Sequence, residues 1–226
     1  MTRQLALNIE LSVHHTLENF YPGANRMIID YLKKNYELQT YLWGEQGVGK
    51  THLLQACCHA FIQQGLRVAY IPLQDYKKFS PEILNGLEKL DLVCLDDIQA
   101  VLAKTEWEEA LFHCYNKLRE NSAKLITAAN AAPKQLTIQL QDLQSRLEAG
   151  VIFQIKPLTD EEKLIVLQMA AKAKGLELSD EVAKFLLLHC ERGMAQLFAI
   201  LMQLDKASLT EQRKLTIPFV KTILST

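Results

Sequence analysis

Residues 44–51 read Gly44-Glu45-Gln46-Gly47-Val48-Gly49-Lys50-Thr51, a complete match to the phosphate-loop pattern G-x-x-x-x-G-K-[ST]. No other stretch limits the possible folds so strongly, because the pattern works only between a strand and a helix. Tyr41-Leu42-Trp43 supplies the apolar entering strand, and Leu53, Leu54, Ala56, Cys57, Ala60 and Phe61 recur at helical spacing after it. Glycines let backbone N–H groups close around phosphate oxygens, and the helix that follows points its positive end at them. Lys50 adds a point charge at the terminal phosphates, and the Thr51 hydroxyl is placed to complete the shell of a Mg²⁺ ion. The competing reading is a glycine-rich turn without a ligand; the register of strand, loop and helix favours a nucleotide site.

Leu92-Val93-Cys94-Leu95-Asp96-Asp97 is the second informative run. It is wholly apolar, as suits a strand buried on both faces of a parallel sheet, and it ends in two carboxylates. About 45 residues behind the phosphate loop, this resembles a Walker B element. Asp96 is then expected at the Mg²⁺ and Asp97 beside an attacking water. A further strand, Lys124 to Ala129, ends at Asn130, which either senses the γ-phosphate or caps a turn. Ahead of the first core strand, Phe20, Tyr21 and Pro22 belong to a turn-rich aromatic stretch that either packs or walls a base pocket.

Taken in order, the chain predicts an extended segment at Leu5, Leu7, Ile9, Leu11 and Val13, alternating at period two. Alone, that pattern suits an edge strand of the fold, a peptide that adds itself to a partner, or pairing with a second copy. His14 and His15 receive no role. A strand at Val68–Ile71 and a short helix capped by Ser80-Pro81 follow the phosphate-loop helix. Thr105-Glu106-Trp107-Glu108 reads as a capping box opening an amphipathic helix, and Thr159 with Glu162 reads as another. From Pro157 the strand and helix alternation gives way to helices alone, starting near Thr159, Ser179, Gly193 and Thr216. The expected organisation is a peptide over residues 1–14, an α/β nucleotide-binding domain over 15–156 and an all-helical domain over 157–226.

The net charge of −1 gives no overall basic footprint, which argues against a domain that grips nucleic acid mainly through its own phosphate contacts. Five cysteines sit in apolar runs without metal-ligand or paired spacing, as expected of reduced thiols in a cytosolic protein. No run of about 18 apolar residues suggests a membrane span.

The phosphate loop, the Asp-Asp strand end, Asn130, Ser145-Arg146-Leu147 before the last strand, and the helical tail together resemble an AAA+ module, a parallel phosphate-loop sheet flanked by helices and followed by a small helical lid. Asn19-Phe20 with Gly23 and Asn25, Leu95-Asp96-Asp97-Ile98-Gln99, and Leu143 to Leu147 with Gly150 are similar to the DnaA branch across nearly the whole chain. The segment Gln212 to Lys221, after which the chain stops where an initiator would continue into a DNA-binding domain, is similar to the Hda family of regulatory inactivators of DnaA.

The resemblance implies several roles. Gln4, Leu5, Leu7 and Ile9 match that family's peptide for the sliding clamp, the β subunit of DNA polymerase III, and Arg146 matches its arginine-finger position. Cofactor contacts are expected from Phe20, Tyr21, Pro22, Gly44, Gly47, Val48, Gly49, Lys50, Thr51 and His52, with ADP or ATP and Mg²⁺ as ligands. The expected partners are DnaA and the clamp, with DNA reached through the clamp and no membrane; a second copy of the chain is a further candidate. The implied location is the bacterial cytoplasm, at the nucleoid through the clamp. One departure stands out: Ala195 occupies the usual lid-arginine position, with Arg192 three residues before it, so weak intrinsic ATPase activity is expected. A self-sufficient ATPase such as a helicase loader, and an initiator variant assembling on single strands, are the alternative readings.

Overall fold

A computed structural model of the chain describes residues 11, 15–34, 37–190 and 193–224. The peptide residues Gln4, Leu5, Leu7 and Ile9, and also Arg192, lie outside them. Five strands form one parallel sheet: β1 (Gln39–Trp43), β2 (Val68–Pro72), β3 (Leu92–Asp96), β4 (Lys124–Ala129) and β5 (Val151–Gln154). Their order across the sheet is β2-β3-β4-β1-β5. Helices α1 (Arg26–Lys34), α2 (Lys50–Gln63), α3 (Thr105–Glu120) and α4 (Gln141–Glu148) complete this unit.

The period-two alternation of the strands decides which helices cover which face. Val93 and Leu95 join Tyr41 and Leu125 in a core with Trp107, Leu111, Tyr115 and Leu118 of α3 and Leu143 and Leu147 of α4. The intervening Leu92 and Cys94 join Leu42, Ile126 and Ala128 on the other face, against Ile28, Ile29 and Leu32 of α1 and Leu53, Leu54, Cys57 and Phe61 of α2. All of β3 is buried, which is why its sequence is apolar at every position until the carboxylate. Cys57, Cys58, Cys94 and Cys114 are buried and unbridged, as expected of reduced thiols.

Two expected caps form differently. The N-cap of α3 is Lys104, and Thr105 lies inside the helix without a capping hydrogen bond. Glu108 instead turns inward, to 1% exposure, and accepts from backbone N–H groups of Ala103, Gln139 and Leu140. Backbone donors brought by a distant loop outcompete the local box. Ser80 does precede the short helix Pro81–Leu84, but its side chain donates to Glu82 at 3.5 Å and caps nothing. The box at Thr159 closes as expected, with Thr159 N–H to Glu162 Oε2 at 2.8 Å and Glu162 N–H to Thr159 Oγ1 at 3.2 Å.

Asn25, buried in the turn that opens α1, clamps the backbone of Lys156 from both sides. Its Nδ2 donates to the Lys156 carbonyl at 2.9 Å, and its Oδ1 accepts the Lys156 N–H at 2.8 Å. Asn25→Ala leaves both backbone groups without partners, at a cost of about 1–3 kcal/mol. Urea denaturation is expected to show a loss in that range, and a loss below about 0.5 kcal/mol would contradict the clamp.

Contacts divide the chain after Lys156. Beyond it, α5 (Asp160–Ala173), α6 (Asp180–His189), α7 (Met194–Glu211) and α8 (Ile217–Leu224) pack around Leu167, Leu186, Leu197, Leu201, Leu204 and Phe219. Ala195 is exposed in the first turn of α7. Among the described residues no helix is long and apolar enough to cross a membrane.

Candidate nucleotide site and the Arg146 edge

The phosphate loop leaves the carboxyl end of β1 and enters α2 at Lys50. Gly44 N–H donates to the Ala129 carbonyl at 3.3 Å, pinning the loop to the end of β4. Gly49 has φ +100°, and a Cβ there would stand 2.7 Å from the Phe20 ring, so both backbone and space demand glycine. No side chain caps the first turn of α2, leaving its N–H groups for an anionic ligand.

Lys50 is buried, and its Nζ donates to the Gly44 and Glu45 carbonyls, each at 2.8 Å. Burial lowers its pKa, while the charges of Asp97 and Asp96 oppose that shift. Thr51 Oγ1 donates to Asp96 Oδ2 at 2.6 Å, and the Tyr70 hydroxyl donates to the same oxygen at 2.9 Å. Asp97 N–H fills the other oxygen at 3.0 Å. Desolvation raises the Asp96 pKa, and the Thr51 bond counters it. A hydroxyl and a carboxylate held against each other are the oxygen donors a hard divalent cation takes, so Thr51 and Asp96 fit Mg²⁺.

Asp97 sits at φ +54° just past β3, and its Oδ1 accepts from Gln99 Nε2 at 2.9 Å. Gln99 Oε1 accepts the Asn130 N–H at 3.3 Å. Gln99 thus ties the ends of β3 and β4 together, bringing Asp97 and Asn130 to one rim beside the loop. Its bridging role was not read from the sequence, where it stands out only as part of the Asp-Asp-Ile-Gln motif.

His52 faces the segment ahead of α1. Its Nε2 meets the Thr16 carbonyl at 2.9 Å, its ring stacks on His15 at 4.6 Å, and Phe20 approaches edge-on at 5.2 Å. Burial lowers the His52 pKa to about 4, against the pull of the Thr16 carbonyl, so the imidazole is neutral near pH 7. His15 Nδ1 also meets Gln55 Oε1 at 2.8 Å, a contact the sequence did not suggest. Phe20 therefore lies against the loop, and half-buried Tyr21 and Pro22 carry the chain on to the turn at Gly23–Asn25. Val48, also half-buried, packs with the core on the α2 face of the sheet.

Arg146 lies elsewhere. It occupies the last turn of α4, ahead of the amino end of β5, where Val151 pairs with Thr40. It borders a small cleft with Gln39, Leu125 and Gly150, at the amino ends of the strands. Because all strands run parallel, this is the end of the sheet opposite the phosphate loop. The guanidinium stands over the Phe112 ring, 6.0 Å from its centroid, and among the described residues no carboxylate pairs with it.

A phosphate-loop sheet in this strand order, with a carboxylate on the strand beyond β4 and a separate helical unit, defines an AAA+ module. A family model of the bacterial DnaA ATPase domain matches residues 11–154, and one of the Hda lid domain matches residues 160–224. The chain belongs to the DnaA ATPase-domain family and carries an Hda-type lid. A protein of Haemophilus influenzae called only "uncharacterized" is 45% identical over 230 residues, spanning the whole of both chains. Domain III of the replication initiation protein DnaA from Thermotoga maritima shares the fold, with a TM-score of 0.81 at 24% identity, over 96% of this chain and 98% of that one. AMPPCP-bound DnaA from Aquifex aeolicus has a TM-score of 0.73 at 27% identity, over 88% of this chain and 67% of that one.

Proposed function

We propose that this protein represses replication initiation by accelerating hydrolysis of the ATP that DnaA holds. Residues Gln4, Leu5, Leu7 and Ile9 tether it to the DNA-loaded sliding clamp, and Arg146 enters the neighbouring DnaA site. The observation that carries this reading is the position of Arg146: it stands at the strand ends remote from its own phosphate loop, with no carboxylate among the described residues to neutralise it. When water attacks the γ-phosphorus and the bond to the β–γ bridging oxygen breaks, negative charge spreads over the transferring group and the leaving oxygen. A planar guanidinium offers paired N–H donors to that charge. The chain's own site, built on Lys50, Thr51 and Asp96, holds ADP or ATP with Mg²⁺, with ADP acting mainly as a structural ligand. Exposed Ala195 brings no charge to a nucleotide, which supports weak turnover by the chain itself.

The tether is tested by measuring hydrolysis of DnaA-bound ATP with DNA-loaded clamp. Gln4→Ala combined with Leu5→Ala is expected to reduce the acceleration at least tenfold, the loss expected when the anchor residues of a short peptide are removed. Raising the concentration of the variant should restore it. No acceleration by the native protein, together with steady ATP turnover by the protein alone, would favour an independent ATPase instead.

A further inference from the structure

Glu108 is a buried carboxylate that the nucleotide site does not use. It meets backbone donors only from outside the α3 helical ladder: Oε1 accepts Ala103 N–H at 2.7 Å and Gln139 N–H at 3.2 Å. Its Oε2 accepts Gln139 N–H at 3.0 Å and Leu140 N–H at 2.8 Å. Leu140 is the residue from which α4 starts, and α4 carries Arg146. Charge-assisted bonds of this kind are strong, and a buried charge stripped of its donors is costly, so the tether resists release.

One turn further along α3, Phe112 presents its ring to the Arg146 guanidinium. Glu108 and Phe112 stand at positions i and i+4, on one face of α3. That face therefore holds both the start of α4 and its functional last turn. Leu143 and Leu147, at 0% and 2% exposure, seat α4 in the core, but apolar burial has no direction and tolerates sliding or rotation. Hydrogen bonds to residues 139 and 140 supply the missing direction.

From this geometry we infer that Glu108 is the positioning residue for Arg146, setting the register of α4 on α3 so that the guanidinium is held where a neighbouring nucleotide can be reached. The inference rests on the reading of Arg146 given above. Misplacing a catalytic group by about 1 Å can cost about 10²-fold in rate.

The test uses the full chain with Glu108→Gln, which keeps the side-chain volume but aims an NH₂ group at backbone donors. Amide hydrogen exchange at Gln139 and Leu140 is expected to quicken at least tenfold, with the amides of β1 and β4 unchanged. In the native chain the Phe112 ring current is expected to displace the Arg146 Nε–H resonance, and in the variant that resonance should move toward the value of an unstructured arginine. Maximal acceleration of DnaA-bound ATP hydrolysis should fall at least tenfold, while the half-saturating concentration and ADP affinity stay within twofold. Unchanged exchange at Gln139 and Leu140, or an Arg146 resonance that stays in place, overturns the positioning role. So does a full maximal rate in a variant whose resonance has moved. If Glu108→Gln does not fold, Gln139→Pro, which takes the residue 139 N–H from the Glu108 carboxylate, replaces it, with Gln139→Ala as the control for the lost side chain and with exchange read at Leu140 beside the Arg146 resonance and the maximal rate. Should the native chain give no acceleration at all, the proposed function fails, and the exchange and Arg146 resonance still decide whether Glu108 positions the side chain.

Discussion

Arg146→Ala is expected to reduce the acceleration of DnaA-bound ATP hydrolysis by about 10³-fold or more, the range in which arginine fingers act. The loss should appear without unfolding. Arg146 is half-buried, and its contact with Phe112 is a cation–π interaction worth about 0.5–1 kcal/mol at such sites, small against the stability of a domain. The variant should also bind its own nucleotide normally, because the side chain stands at the opposite end of the sheet from Lys50. Arg146→Lys separates charge from geometry: a lysine keeps the point charge but loses the planar fork, so it should recover only a small part of the rate. Single-turnover hydrolysis of labelled ATP preloaded on DnaA, with clamp on DNA, provides the measurement. An alanine variant within about threefold of the native rate would sink the finger reading, since a finger accounts for orders of magnitude.

The second large effect is expected at Lys50. Its ammonium bridges the Gly44 and Glu45 carbonyls and so holds the loop that the N–H groups line, and on the proposed reading it also carries the charge for the phosphates. Lys50→Ala removes both contributions. Losing charge-assisted contacts to phosphate, at about 1.5–3 kcal/mol each, together with the loop geometry that the two carbonyl bonds hold, corresponds to a loss of about 10²-fold in ADP affinity. Titration calorimetry reads this directly, and stability gives an independent check. At a concentration a hundred times the dissociation constant, a ligand bound only to the folded state stabilises it by about 2.7 kcal/mol. The native protein should gain about that much with ADP and Mg²⁺, whereas the Lys50→Ala protein should gain almost nothing at the same concentration. Equal gains in both proteins would mean that the loop does not hold the nucleotide. If Lys50→Ala also leaves DnaA-directed activity intact, the site is dispensable for the finger and serves another purpose.

The residues legible from sequence are those whose role is set by neighbours close along the chain. The phosphate loop is one, because glycine conformation, the start of α2 and the positions of Lys50 and Thr51 are local. The Asp96 strand end is another, since complete burial of β3 dictates an unbroken apolar run before the carboxylate. Thr159 and Glu162 behave as their spacing suggests for the same reason. The Ser80 cap fails locally, its hydroxyl turning to Glu82, but the other misreadings and omissions fall where the partner is remote. Asn25 bonds across 131 positions to Lys156, and Gln99 reaches 31 positions to Asn130. Glu108 has the spacing of a capping residue, yet it serves backbone donors 31 and 32 positions away. Residue type shows that a polar group needs partners once buried, but not where the chain will bring them from.

By itself the sequence determined that a phosphate loop follows one strand, that paired carboxylates end another, and that α/β alternation gives way to helices alone. These follow from local conformation and from the periodicities of burial. Only the tertiary structure decided that β1 lies between β4 and β5 while β2 goes to the far edge. That order puts Gln99 between Asp97 and Asn130, and it sends Arg146 to the end of the sheet remote from the phosphate loop. Periodicity tells a strand which faces to bury. Which strands become its neighbours depends on how the crossover helices pack over the sheet, and that packing joins residues far apart in the chain.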